Sequence, residues 1–171
     1  MAKIWNFFQD WKANWGNPKG RLVMVLFRIA HWARCGPGWA RPLAVVYGPV
    51  YRLGVEWLLG VELPWKTRVG RGLRIDHGMG LVVNDGTRIG DGCFLRHSTT
   101  IGNKQLEGGA YSASPVLGNR VDVGANSVII GPVRVGDDAV IGAGAVIVKD
   151  VPPYAVVVGN PARIVRYRKT G

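Results

Sequence analysis

The chain has three histidines, His31, His77 and His97. His77 stands two residues after the aliphatic Ile75, and His97 stands two residues after Leu95. Imidazole is the side chain best suited to exchange a proton near neutral pH. Two of them at equivalent places on adjacent turns of a scaffold read as a general base with a helper. Asp76 precedes His77, and Gly78 and Gly80 follow it. The plain alternative for His77 is an exposed turn residue, and its neighbours weigh against that. A metal centre needs a third ligand, for which the sequence offers no clear position, so no metal is expected. His31, inside FRIAHW on a helical pattern, reads as a packed residue. Cys35 and Cys93 lie in unlike segments without a basic partner in a motif. Neither reads as a nucleophile, and no disulfide framework is visible.

The scaffold that places the histidines is a repeat. From Leu117 the chain reads LGNRVD, VGANSV, IIGPVR, VGDDAV, IGAGAV and IVKDVP, with Leu117, Val123, Ile129, Val135, Ile141 and Ile147 at a strict period of six. That period fits neither a helix nor simple strand alternation, and it predicts a parallel β-helix of hexapeptide repeats. The aliphatic residue points inward, and the small residue after it (Gly118, Gly124, Gly136, Gly142) is expected to ease the bend. The register continues upstream through Val69, Ile75, Ile89, Leu95 and Ile101, with a slip of two residues expected between Leu81 and Ile89. Successive coils lie about 5 Å apart, which stacks His97 on His77. Residues 103–115 lack the aliphatic comb and read as a loop that builds one wall of a site.

Residues 1–60 differ in kind. Ile4, Phe8, Trp11 and Trp15 at helical spacing predict a short amphipathic helix, ended by Asn17-Pro18. A second helix is expected over 20–33 and a third over about 42–59, bent at Gly48-Pro49. The longest apolar run, 42–51, falls short of the roughly 20 residues of a membrane span. These helices are expected to cap the open end of the β-helix, with peripheral membrane contact through Trp- and Arg-rich faces as an addition. The expected organisation is therefore a helical segment 1–60, a β-helix 61–165 and a basic tail 166–171. A net charge of +11 asks for an anionic partner, such as cofactor phosphates or a membrane surface. Nucleic acid is not expected, because no aromatic-basic recognition motif is present. The cysteine usage and the polar N-terminus point to a reduced, cytoplasmic setting, at most peripheral on the inner face of the membrane.

FRIAHW, GVEL at 60–63, VGRGLRIDHGMGLVV at 69–83, the hexads 123–152 and GNPARIV at 159–165 together resemble the serine acetyltransferase branch of the hexapeptide-repeat acyltransferases. The resemblance implies a left-handed β-helix, acetyl-CoA as co-substrate and a homotrimer with sites between subunits. It also implies residue roles. His77 matches the catalytic base, Glu62 the carboxylate that orients it, and Asp76 and Asp10 acidic residues on the acceptor side. Ala125 and Ala143 match small residues beside the pantetheine arm. Arg163, with Arg166 and Arg168 behind it, matches a contact to the cofactor phosphates.

The departures bear on the acceptor. Serine acetyltransferases carry an Arg-His pair where this chain has Ala113-Ser114, and a serine carboxylate needs such a cation. Ile101-Gly102-Asn103-Lys104 replaces their Gly-Gly-Thr-Gly, and their long N-terminal helical domain has no counterpart here. In these respects the chain is more similar to the short colanic-acid type O-acetyltransferases of exopolysaccharide pathways, which keep a histidine at the place of His97. The expected acceptor is a sugar hydroxyl on a polymeric or lipid-linked glycan, with His97 on the acceptor side. The alternative is serine or another small molecule.

Overall fold

The computed structural model describes residues 5–169. Helix α1 (Pro18–Cys35) starts where the Asn17 side chain accepts from the Gly20 N–H at 2.9 Å. Pro18 fills the first turn, where its missing donor costs nothing. Helix α2 (Arg41–Tyr51) follows after a single 3-10 turn and runs directly into a π-helical stretch, Arg52–Leu58. Pro49 removes a donor inside α2, and the wider winding starts shortly after it. The expected bend thus takes the form of a change in helix type.

The short helix expected around residues 4–15 does not form in the described part, and Ile4 lies outside the described residues. Residues 7–16 are a succession of turns, with Trp11 N–H donating to the Phe8 carbonyl at 3.0 Å and Trp15 N–H to that of Lys12 at 3.1 Å. The apolar spacing misleads because the polar residues face inward. Asp10 and Asn14 are 1% and 0% exposed, whereas Phe8 and Trp15 are 60% and 78% exposed. Asn14 donates to the Leu73 carbonyl at 2.8 Å and accepts from Ile75 N–H at 3.0 Å. Asp10 accepts from Leu73 N–H at 3.0 Å, and Asn17 donates to the Ile75 carbonyl at 2.6 Å. These side chains satisfy an open strand edge, so at this edge the capping expected of helices is done by side chains of the turn segment and the N-cap.

The rest of the chain coils. The first coil holds β1 (Val61–Glu62), β2 (Arg68–Val69) and β3 (Arg74–Asp76); the second holds β4 (Leu81–Val83), β5 (Arg88–Ile89) and β6 (Phe94–Arg96). The third holds β7 (Thr100–Gly102), β8 (Val116–Leu117) and β9 (Asp122–Val123). The fourth holds β10 (Val128–Ile130), β11 (Arg134–Val135) and β12 (Val140–Ile141). The fifth holds β13 (Val146–Ile147) and β14 (Ala155–Val158), and β15 (Arg163–Tyr167) folds back antiparallel on β14. Three parallel sheets result: β1-β4-β7-β10-β13 (first face), β2-β5-β8-β11 (second face) and β3-β6-β9-β12-β14 (third face), the last extended by β15. The fold is a left-handed parallel β-helix behind an N-terminal helical segment.

All six aliphatic residues from Leu117 to Ile147 are buried, none more than 2% exposed. Burying such a side chain is worth about 1.5–3 kcal/mol, so the comb contributes a large part of the coil's stability. The glycines after them act differently from expectation. At Gly124 a Cβ would lie 2.5 Å from Ala143 N, and at Gly136 one would lie 2.4 Å from Pro153 N. Close approach of the next coil excludes a side chain there, whereas the left-handed turn positions fall on other residues, including Asn126 and Asp138.

The register slip also sits elsewhere. Ile75 pairs with Leu95, twenty residues on, whereas Val83 pairs with Ile101, eighteen on. The two extra residues therefore belong to the turn that begins at His77, not to 81–89.

Candidate active site

Strand register puts the expected site residues in one column. Ile75 pairs with Leu95, Val123 with Ile141, and Ile141 with Val157, while Phe94 opposes Asp122. Two residues beyond these strand positions come His77, His97, Ala125 and Ala143, all at the corner where the third face turns into the first. Each step along the corner is about 5 Å. The imidazole rings of His77 and His97 stand edge to face, with centroids 5.7 Å apart and planes at 80°.

The longer turn changes His77 itself. Its φ is +63°, and Gly78 and Gly80 are also left-handed at +64° and +71°. At the neighbouring corners the left-handed residue is one step later, Ser98 or Asn126. A left-handed histidine costs of order 1–3 kcal/mol, a strain that collects at functional positions. His77 is exposed, while His97 is half-buried and its Nδ1 is shielded from solvent with no hydrogen-bond partner among the described residues.

Asp76 is held by Arg74, whose guanidinium donates at 2.8 and 3.1 Å, and by Asn17 at 3.2 Å. Burial opposes its ionisation, but the hydrogen bonds from Arg74 and Asn17 and the charges of Arg74 and His77 outweigh it, so its pKa lies below the usual carboxylate range. The outer surface beside the corner holds a group that the sequence did not reveal. Arg96 lies 3.8 Å and Arg74 4.4 Å from the Phe94 ring, and Arg96 also pairs with Asp122. The only sequence signal was their shared phase on β3, β6 and β9.

The other expected residues are scattered. Glu62 lies on β1, exposed in a depression with Arg52, Glu56, Trp65, Lys66 and Asp85. Among the described residues no hydrogen bond or ion pair joins it to His77. Asp10 is buried against the first coil. It is 1% exposed, both its oxygens receive Arg28 at 2.7 and 3.1 Å, and it accepts from a strand edge. This buried, fully engaged carboxylate holds the N-terminal segment to the coil. Arg163 begins β15, exposed, with its guanidinium on the Ala162 carbonyl at 3.0 Å, beside a cavity of about 540 Å³ shared with Lys149 and Ile164. His31 is packed as expected, its Nδ1 2.6 Å from the Trp65 carbonyl and its ring stacked on Phe27. Cys93 faces the core, and burial pushes its thiol up to about 11, which removes it as a nucleophile at neutral pH.

Residues 103–115 are a small hairpin, with Gln105 bridged to Tyr111 and Leu106 N–H donating to the Ala110 carbonyl at 2.7 Å. Ser114 ties its exit to Asn84 at 2.7 Å. The hairpin leaves the corner between β7 and β8, at the edge of the first face opposite the histidine corner. Within one chain it is therefore not beside His77.

A short-stranded, three-faced coil is the architecture of the hexapeptide-repeat proteins, and comparison with known proteins agrees. Residues 114–149 match the family model "Bacterial transferase hexapeptide (six repeats)". The chain is 34% identical over 163 residues to the Escherichia coli K12 protein named "Putative colanic acid biosynthesis acetyltransferase WcaB", covering 91% of this chain and 96% of that one. It is 37% identical over 141 residues to a serine acetyltransferase of Mycobacterium tuberculosis, covering 81% of this chain and 57% of the relative. The crystal structure of Neisseria gonorrhoeae serine acetyltransferase superposes with a TM-score of 0.78 at 32% identity, over 96% of this chain and 65% of that one. The chain belongs to the hexapeptide-repeat acyltransferases, in the group that joins serine acetyltransferases and WcaB. It spans 57% of the length of two of the serine acetyltransferases it matches.

Proposed function

We propose that the protein is an acetyl-CoA-dependent O-acetyltransferase with His77 as general base. The observation that carries this reading is the single corner column, with the strained His77 at one end and the small Ala125 and Ala143 two and three coils further on. An acceptor hydroxyl at His77 loses its proton to the imidazole as its oxygen attacks the thioester carbon. The C–S bond of the tetrahedral adduct then breaks, and the leaving thiolate takes the proton back from His77. No covalent enzyme intermediate is required. Glu62 orients the imidazole as the acceptor binds, Asp76 and His97 face the acceptor, and Ala125, Ala143 and Arg163 accommodate the cofactor arm and phosphates.

Two acceptors have specific support. Serine is favoured by the comparisons, since several curated relatives and solved structures carry that name. A sugar hydroxyl of a glycan is favoured by Ala113-Ser114, which supply no cation for an amino-acid carboxylate, and by the near full-length match to WcaB. If the glycan is lipid-linked, the N-terminal helices are the element that touches the membrane. The hairpin and the histidine corner sit at opposite edges of one face, so a hairpin-walled site takes its hairpin from a neighbouring chain, and a homotrimer meets that need.

Free thiol released from acetyl-CoA, measured with serine and with exopolysaccharide or membrane extract, tests both levels. No release above the acceptor-free background with either acceptor sinks the activity. Release with serine alone rejects the glycan, and release with the extract alone rejects serine.

A further inference from the structure

Helix α2 and the π-helical stretch after it have two apolar sides. One, with Tyr51 and Val55 at its centre, packs on α1 and the first coil. The other is open. Val45, Val46, Val50, Leu53, Trp57 and Leu58 are each more than half exposed, and Trp39 stands at the start of the same face at 71%. A helix that is apolar all round is normally covered on every side, and exposed apolar faces of this length mark interaction surfaces. From Trp39 to Trp57 the face is about 27 Å long at 1.5 Å per residue. No helix among the described residues is long and apolar enough to cross a membrane.

The surroundings say what covers it. All seven tryptophans of the chain fall within residues 5–65. Trp39 meets Trp32 edge to face at 5.4 Å, Trp32 meets Phe7 at 5.8 Å, and Phe8 meets Trp11 at 5.7 Å, so an aromatic band continues from the helix to the N-terminal turns. Arg21 lies between the rings of Trp11 and Trp15 at 4.5 and 4.6 Å. Residues 1–60 contain eight lysines and arginines but two carboxylates, Asp10 and Glu56. Both carboxylates are paired, with Arg28 and Arg52. The charge that residues 1–60 carry without a carboxylate partner is therefore positive, with Lys12, Lys19, Arg34 and Arg41 among its sources. A second copy packed face to face about a two-fold axis would bring these cations against their equivalents, whereas an anionic lipid surface complements both the charge and the aromatic band.

We propose that the outward face of residues 39–58, with the aromatic band and its basic rim, lies in the interface of an anionic lipid bilayer. This deepens the membrane contact read above for a lipid-linked acceptor and fixes which surface makes it. Val46 and Val50 enter the acyl boundary, Trp39 and Trp57 sit at headgroup depth, and Arg34 and Arg41 meet lipid phosphates. The corner bearing His77 stays in water on the coil.

The test is co-sedimentation of the full chain with vesicles of phosphatidylglycerol and phosphatidylcholine in equal parts, or of phosphatidylcholine alone. Tryptophan emission and thiol release with a water-soluble acceptor are read on the same samples. The wild type pellets with the anionic vesicles with blue-shifted emission, and partition falls about tenfold on neutral lipid or in high salt. Val46→Glu with Val50→Glu, at positions 74% and 61% exposed, abolishes pelleting and keeps the circular dichroism and thiol release. Wild type that stays in solution with anionic vesicles, or a double variant that pellets as well as wild type, overturns the proposal. So does a double variant whose only change is a smaller oligomer, which assigns the face to a second copy. Lost pelleting with intact thiol release leaves the acetyltransferase reading untouched, and the converse leaves this one.

Discussion

His77 and Asp10 are both polar residues close to the first coil, and their surroundings give them opposite duties. His77 is exposed at a strained corner, so replacing it with Ala should lower turnover by roughly 10²–10⁴, the span of a lost general base. Acetyl-CoA affinity, read by calorimetry, should be kept; retained turnover rejects the mechanism. Asp10 is locked to Arg28 out of solvent, and removing one partner of a buried pair costs about 3–5 kcal/mol. Asp10→Ala should therefore lower the denaturation midpoint sharply and leave the KM for the acceptor unchanged in the folded fraction. Asp76 adds a pH signature. Its folded pKa is depressed, so its contribution to stability is full above the ordinary carboxylate range and is lost as pH falls through the depressed value. Asp76→Asn should leave acid unfolding less steep, with the difference from wild type largest near neutral pH and vanishing in strong acid.

At the scale of elements, two departures from strict repetition matter. The turn from His77 to Gly80 carries two residues more than its neighbours, and this puts His77 itself in the left-handed region. Deleting Gly78 and Met79 should return the coil to eighteen residues and keep the melting transition. Turnover should fall at least as far as in His77→Ala, because the imidazole then takes the orientation of His97. The repeat glycines make the second case. Gly124→Ala places a methyl 2.5 Å from Ala143 N and should cost about 1–3 kcal/mol, as overpacking does. Gly54→Ala, with nothing within 4 Å, should be neutral or mildly stabilising on thermal denaturation.

At the scale of the molecule, the histidine corner and the hairpin sit at opposite edges of the first face. A site that needs both draws them from two chains. A chain lacking residues 104–112 and a His77→Ala chain should each be inactive alone. Mixed under conditions that exchange subunits, they should regain a fraction of wild-type thiol release. No regain, with mixed oligomers verified by mass, places the whole site in one chain.

The sequence by itself determined the coil. A six-residue period admits one way of burying Leu117 through Ile147, and the register that stacks His97 on His77 follows from counting. It also showed that Cys93 has no activating partner. Tertiary structure decided whatever depended on a surface meeting another surface. Phe8, Trp11 and Trp15 have helical spacing, yet Asp10 and Asn14 are the buried residues, because the bare edge of β3 needs donors and acceptors more than it needs apolar cover. The glycines are small because the next coil is close, a distance that no linear pattern carries. The place of the extra two residues became legible only when Ile75 and Val83 were paired across coils. The open apolar face of α2 was likewise invisible as a face, since both sides of that helix are equally apolar in sequence and only packing against α1 decides which one is left to meet something else.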